Sequence, residues 1–349
     1  MSDSKHEVST TENVREPGKK GALKRHCQRF WWLHLIIFIV IAVFIILITI
    51  FVAIPRIAQD KINQAKLEIV SVKITNAAPN SFTMDISSTI STDGTVKANI
   101  QPFKGAMYLP DAPNKSPFTI LDFPPTNANK HSWVNFTQDI TVGDIDAFEQ
   151  FNTWFVNNKT LNIGIKGDTR VQPAGLDKTY PVTFQKTLPT SGLNLFDGMQ
   201  VIDPMVKLQV DNGSDPNFRN FWATAVLPNP SHFSLDIGNA VFDNYYYGQN
   251  LGKLYIDNLS LVPGDNRVNV TGSLDQGNIL VVAAGHKPDC ETGIATFTLV
   301  GSNVTRNGQE IPYFNYALAH ANQTVHLNLT DTLTRSGLPV QIQCSKTAV

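Results

Sequence analysis

The chain has 349 residues, a formal net charge of −1 and three cysteines, with 16% charged and 42% hydrophobic residues. That length can hold a sizeable core, and three cysteines are too few to frame a small disulfide scaffold. From residue 30 onward there are 21 basic and 25 acidic side chains, which excludes the basic face that nucleic acid requires.

Residues 1–29 read as a disordered, basic cytosolic tail. Residues 30–54, FWWLHLIIFIVIAVFIILITIFVAI, form a run of 25 without an acid or base. As a helix this run would extend about 37 Å, enough to cross a hydrocarbon core of about 30 Å with some tilt. The expected partner of residues 30–54 is therefore the lipid bilayer. Lys19, Lys20, Lys24, Arg25 and Arg29 precede the run, whereas Arg56 and Lys61 stand against Asp60 after it. The positive-inside bias predicts a cytosolic N-terminus and an uncleaved signal anchor, since a cleaved signal has an apolar region of about 7–15 residues. Cys27, beside the basic cluster, is a weak candidate for palmitoylation against an unmodified thiol. His34, in the first turns of the run, reads as an interfacial imidazole rather than a proton relay. Residues 55–65 read as a short stalk in which Pro55 bends the chain and Ile57, Ala58, Ile62 and Ala65 continue helically.

With that topology, everything after Pro55 is lumenal or extracellular. Residues 56–349 contain 29 Asn and 43 Ser or Thr, so chance would give about four N-x-[ST] sequons; nine are present. The glycosylation candidates are Asn135, Asn158, Asn212, Asn258, Asn269, Asn303, Asn322 and Asn328; Asn114 is weakened by Pro117 after its Ser116. In an oxidising compartment only Cys290 and Cys344 could form an internal bridge, the alternative being two buried thiols.

From residue 66 the dominant period is two: Val70, Val72 and Ile74, then Phe82, Met84 and Ile86, then Leu161, Ile163 and Ile165, alternate with polar neighbours. Val268–Thr271 and Val325–Thr330 continue the pattern, the latter with Asn322, Thr324, His326, Asn328 and Thr330 on one face. Turn signals at Asp93-Gly94, Asn212-Gly213, Pro263-Gly264-Asp265 and Asn307-Gly308 suit antiparallel strands. The best helix follows Ile145, with Asp146 as cap, Glu149 as capping-box partner and Phe148, Phe151 and Phe155 as its apolar stripe. Phe82–Ile86 matches Phe233–Ile237 at an offset of 151, and Thr160–Ile163 matches Thr324–Leu327 at 164. These offsets predict two related domains, residues 66–190 and 203–349, joined around Leu188–Gly192. The expected fold is mainly β: an N-terminal transmembrane helix, then two tandem antiparallel β-sandwich domains of immunoglobulin or fibronectin type.

Leu227-Pro228-Asn229-Pro230-Ser231, Tyr246-Tyr247-Gly248-Gln249-Asn250-Leu251-Gly252 and Pro263-Gly264-Asp265-Asn266 resemble, in order, the type 2 late-embryogenesis-abundant (water-stress and hypersensitive response) domain. Together with the single span and the stretch from Asp144 to Gly167, the chain resembles a fungal family of membrane-anchored, uncharacterised proteins with such domains, some of them vacuolar. The first half departs at Asn76-Ala77-Ala78-Pro79-Asn80, which lacks the Asn-Pro of the second. The resemblance implies about seven strands per domain, a vacuolar membrane, and no catalytic residue or cofactor to carry over.

Asp144-Ile145-Asp146 has the spacing of a transferase D-x-D, but the cap reading fits better because the alternating strand–helix pattern of such enzymes is missing. His131, His232, His286, His320 and His326 lack zinc-protease spacing. No nucleophile elbow, P-loop, C-x-x-C or dinucleotide fingerprint occurs. Tyr245-Tyr246-Tyr247 and the Phe148–Phe155 stripe with Trp154 read as core first and as a ligand groove second. No catalytic, cofactor or metal site is expected. The expected function is non-enzymatic, a membrane-anchored lumenal or extracellular binding or scaffolding protein with a lumenal protein partner or lipid ligand. The alternatives are a lipid-binding or lipid-transfer module and, third, a type II membrane glycosyltransferase-like enzyme. Placement is expected at the vacuolar membrane, ahead of the plasma membrane or another secretory-pathway membrane.

Overall fold

The computed structural model describes residues 31–209, 213, 215–338 and 342–345. Cys27, the basic cluster at 19–29 and Asn212 lie outside the described residues. The chain divides into two compact units, residues 1–57 and 58–349. In the first, helix α1 (Trp31–Ile48) is apolar on every side, and the helical run that it opens, Trp31–Gln64, is long and apolar enough to cross a membrane. A helix without a polar face suits surroundings that are apolar all round. It passes into a widened turn, Thr49–Ala53, in which the Ile54 N–H donates to the Thr49 carbonyl. Pro55 has no N–H to offer Phe51, and the wider turn in front of it takes up the gap. Helix α2 (Ile54–Gln64) follows.

Within the second unit, Ala58, Ile62 and Ala65 are buried in the core. The end of α2 has no glycine cap. Lys186 supplies one, its ammonium donating to the carbonyls of Ile62, Asn63 and Ala65 at 2.7, 2.9 and 2.5 Å. These are the acceptors that a helix end leaves open. Burial pushes the Lys186 ammonium down from its usual range. Gln59 adds a two-way bond to the backbone of Thr183, 2.9 and 2.8 Å.

The strands of the first half are β1 (Lys66–Ala78), β2 (Ser81–Ser91), β3 (Ala98–Ile100), β4 (Phe103–Tyr108), β5 (Pro117–Phe123), β6 (Thr126–Ala128), β7 (His131–Thr141), β8 (Thr160–Pro173) and β9 (Tyr180–Ser191). Those of the second are β10 (Gln200–Val206), β11 (Phe221–Asn229), β12 (Phe233–Tyr246), β13 (Gln249–Leu261), β14 (Gly264–Leu274), β15 (Ile294–Arg306), β16 (Gln309–Glu310) and β17 (Gln323–Asn328). One sheet runs β10-β11-β14-β13-β12-β1-β2-β7, with β15 on β12 and β16 and β17 on β15; the other runs β5-β4-β8-β3-β6, with β9 on β8. The protein is mainly β with sandwich-like sheets.

Two features depart from the tandem antiparallel plan. First, β1 pairs in parallel with β12, Val72 with Phe233 through Ile74 with Leu235, so residues 66–190 and 203–349 share a sheet within one compact unit. Second, Leu188–Ser191 are the end of β9, paired with Ile163–Thr160 of β8, and the connection between the halves comes later, at residues 192–199. The sequence repeat is not a repeat of pairing either. β1 lies directly beside β2, whereas β11 and β12 are separated by β14 and β13.

Helix α3 (Ile145–Asn157) buries Phe148, Phe151 and Phe155. Phe148 stacks on Phe82 at 5.2 Å between ring centroids, Phe151 on Phe118 at 4.7 Å, and Phe155 tilts against Phe233 at 5.0 Å. This stripe is core, joining both halves, as offset aromatic pairs favour.

Lys186→Met keeps the packing of the side-chain stem and removes the three charge-assisted bonds, so it is expected to cost about 2 kcal/mol. Denaturant unfolding of the full chain measures it.

Candidate functional site

The first sheet folds over in the second half, because β14 pairs with β13 only over Gly252–Tyr255 while β12 pairs with β13 as far as Leu261. The bend passes through Gly252, whose φ is +121° and where a Cβ would stand 2.1 Å from the Ser273 carbonyl. Only glycine fits there. β11 and β14 thus face β12, β15 and β17 across a common interior.

That interior contains an apolar cavity of about 100 Å³. Ala223 and Ala225 of β11 and Val270 of β14 form one wall, and Phe242, Leu299 and Val325 form the other. Two alanines opposite large side chains leave the space that close packing otherwise fills. No polar atom is exposed in the cavity; apolar voids of this kind stay dry and accept apolar guests. The lining includes Leu208, which is 49% exposed, so the cavity reaches the surface beside β10.

Polar side chains hold its frame. Asn220, fully buried, donates to the carbonyls of Gln209 and Leu274 and accepts from the Leu274 N–H at 2.9 Å. Helix α4 (Gln276–Gly285), capped by Asp275, contributes Gln276, whose amide donates to the Asn220 carbonyl. Gln276 Oε1 and Gln323 Nε2 are buried in the cavity's lining without a hydrogen-bond partner. Helix α5 (Asp289–Thr292) carries Cys290, bonded to Cys344, and helix α6 (Pro312–Ala319) packs on β15. Helix α7 (Leu329–Arg335) lies against β10, where Ser336 accepts from the Val206 N–H at 2.8 Å and Arg335 pairs with Asp203 at 3.0 Å. At the start of β10's connection, Asn194, Leu195 and Phe196 all have φ between 51 and 54°. That left-handed turn costs roughly 1–2 kcal/mol per residue, and it places Phe196 in the cavity wall.

The motifs behind the domain resemblance are braces. Asn229 accepts from Ser231 and donates to the Phe233 carbonyl; Asn266 donates to the carbonyls of Leu227, Val262 and Gly264 and accepts from the Val262 N–H. Tyr247 and Gly248, φ 47 and 77°, make the two-residue turn between β12 and β13. Tyr246 is buried and donates to Asp289 at 2.5 Å, and burial pushes its hydroxyl well above the usual range, with the Asp289 bond adding to the shift. Tyr247, half exposed, stacks on His286 at 3.9 Å.

The sequon asparagines are scattered. Asn114, Asn135, Asn158, Asn258, Asn269, Asn303, Asn322 and Asn328 are all exposed, and no site gathers them. Asn328 accepts from the Asp331 N–H as the cap of α7; the strand expected to run to Thr330 therefore stops at Asn328. The cap of α3 is Asp144, not Asp146. Its Oδ1 accepts from the Ala147 N–H at 3.1 Å and its Oδ2 from Ser116 at 2.5 Å. Both oxygens of the first D-x-D carboxylate are thereby engaged, and Asp146 lies exposed in the first turn. The Ser116 hydroxyl, then the Ala147 N–H, hold Asp144 below the usual carboxylate range. Among the described residues no group of three or more His, Cys, Asp or Glu is placed to hold a metal.

A sequence-family profile described as "Protein of unknown function (DUF3712)" matches residues 116–244, a stretch that crosses from one half into the other. No curated protein matches the chain. Among solved structures, a glycosyl hydrolase family 2 member from Bacteroides cellulosilyticus is similar over 40% of this chain and 15% of its own, at 9% identity and a TM-score of 0.20. Red sea bream transglutaminase covers 76% of this chain and 31% of its own, at 13% identity and 0.27. A bacterial adhesin from Mobiluncus mulieris covers 73% and 84%, at 10% identity and 0.18. The chain thus spans less than a third of the first two, and scores this low carry no argument about function.

Asp144→Asn should be nearly neutral near pH 7, because Asn also caps, whereas Asp144→Ala should cost about 1 kcal/mol. The Asp144 carboxyl is lowered on folding, so its contribution is present above the ordinary carboxylate range and is lost as pH falls through the lowered value. Thermal melts against pH should therefore show the wild type converging on Asp144→Ala in acid.

Proposed function

We propose that the chain is a non-enzymatic, membrane-anchored binding protein whose second half takes up the end of an acyl chain or a similarly small apolar part of a lipid. The observation that carries this reading is the apolar cavity between β11 and β12, which reaches the surface at Leu208. Such a cavity prefers an apolar guest to water, and the apolar helix α1 supports attachment to the membrane that would supply one. Gln276 Oε1 and Gln323 Nε2 are unpaired but present no surface to the cavity, so the guest that it favours is a hydrocarbon. The charge bias around residues 30–54 supports a cytosolic N-terminus, and the exposure of every described sequon asparagine supports a lumenal, glycosylated second unit. Resemblance to the fungal membrane-anchored family supports a vacuolar membrane.

Ala225→Phe places a ring in the cavity and leaves the surface unchanged. Full-length protein in nanodiscs of a saturated phosphatidylcholine should bind cis-parinaric acid saturably, and Ala225→Phe should weaken that binding at least tenfold with the fold intact by circular dichroism. Equal binding by both proteins would place the probe in the bilayer and return the second half to a ligand-free scaffold.

A further inference from the structure

Trp133 is 65% exposed on the outer face of β7, the strand at one edge of the first sheet. A single exposed aromatic needs no explanation in itself. Its position two residues before Asn135 supplies one. Side chains two apart on a strand point the same way, about 6.8 Å apart along it, so the indole and the Asn135 amide stand side by side. Across the ladder their partners are Thr89 and Ser87, too small to cover the ring. Asn135 Oδ1 accepts from the Ser87 hydroxyl at 3.0 Å. That bond fixes the amide by its oxygen and leaves Nδ2, the atom that carries an N-linked sugar, available. The rest of the sequon fits: Thr137 on the same face donates to Asp85 at 3.1 Å, and Phe136 points inward against Phe123 at 5.4 Å between ring centroids.

We propose that Asn135 carries an N-linked glycan whose first N-acetylglucosamine lies on the Trp133 indole. In the covalent step the Asn135 nitrogen forms a bond to the sugar's C1, the bond from C1 to the phosphate oxygen of a polyprenyl-pyrophosphate oligosaccharide breaks, polyprenyl pyrophosphate leaves and Nδ2 gives up a proton. The host's transferase supplies that donor. The C–H-bearing face of the pyranose then meets the electron-rich face of the indole, which removes the ring from water without a protein partner. The glycan also covers the outer face of a strand at the end of the sheet. The proposal rests on the lumenal placement of the second unit.

Full-length protein from a secretory yeast host tests it. Glycopeptide mass spectrometry should find Asn135 occupied. Trp133→Ala should lower the melting temperature by roughly 2 °C, and the shift should persist after endoglycosidase H trims each glycan to its first sugar. In an Asn135→Gln background the same substitution should cause no shift. An equal shift in both backgrounds, its loss on trimming, or an empty Asn135 with other sequons occupied would overturn the stacking while leaving the lumenal placement standing. Empty sequons throughout would overturn both.

Discussion

Strand β1 is hydrogen-bonded on both sides, antiparallel to β2 and parallel to β12, and on that double pairing the unity of residues 58–349 depends. Three residues, Val72–Ile74, carry the parallel contact, and Val72 adds a bond to the His232 carbonyl at 3.0 Å. The contact sets Phe233 beside Phe155 of α3 and so brings the aromatic core of the first half against the first residues of β12. Parallel pairing needs a crossover, and here the chain between β1 and β12 builds the whole second sheet on the way.

The same strand β12 serves two ends. Its first residues hold the halves together, and its later ones, Phe242 onward, form the far wall of the cavity. Ala223 and Ala225 then decide whether that wall is met by a filled core or by a space, and the space is what makes the second half a binding unit in this account. Around it the structure uses fixed devices, a buried asparagine between three segments and a left-handed turn behind Phe196; elsewhere in the second half a disulfide joins Cys290 to Cys344. A closed loop of that length, a separation of 54 residues, would by chain entropy stabilise the surrounding fold by about 4 kcal/mol. A strained wall such as the turn at Phe196 can keep a void open that softer packing would collapse.

Period-two patterning made the strands legible, and the sequon asparagines on strands, Asn135, Asn258, Asn269, Asn303 and Asn328, share those strands' polar parity. Asn229 and Asn266 stood out only through the domain resemblance, and the structure gives their reason in satisfied buried amides. Other features were hidden for identifiable causes. Helix α4 reads Asn-Ile-Leu-Val-Val-Ala-Ala, apolar on every side, and without a polar face no helical period appears. The cap of α3 was placed two residues late because Asp146 and Glu149 make a capping box on paper, whereas Ser116, distant in sequence, selects Asp144. The strand ending at Asn328 looked longer because Leu329 keeps its parity while already in α7. The cavity itself left no local signal: two alanines in a strand acquire meaning only from what faces them.

The central claim is that the second half binds one apolar guest. Native mass spectrometry of the full chain, released from detergent micelles under gentle activation, tests it most directly. The account predicts a bound adduct of lipid mass at one copy per chain, retained after the annular detergent is stripped. A bare chain, or a ladder of adducts with no preferred stoichiometry, would contradict it.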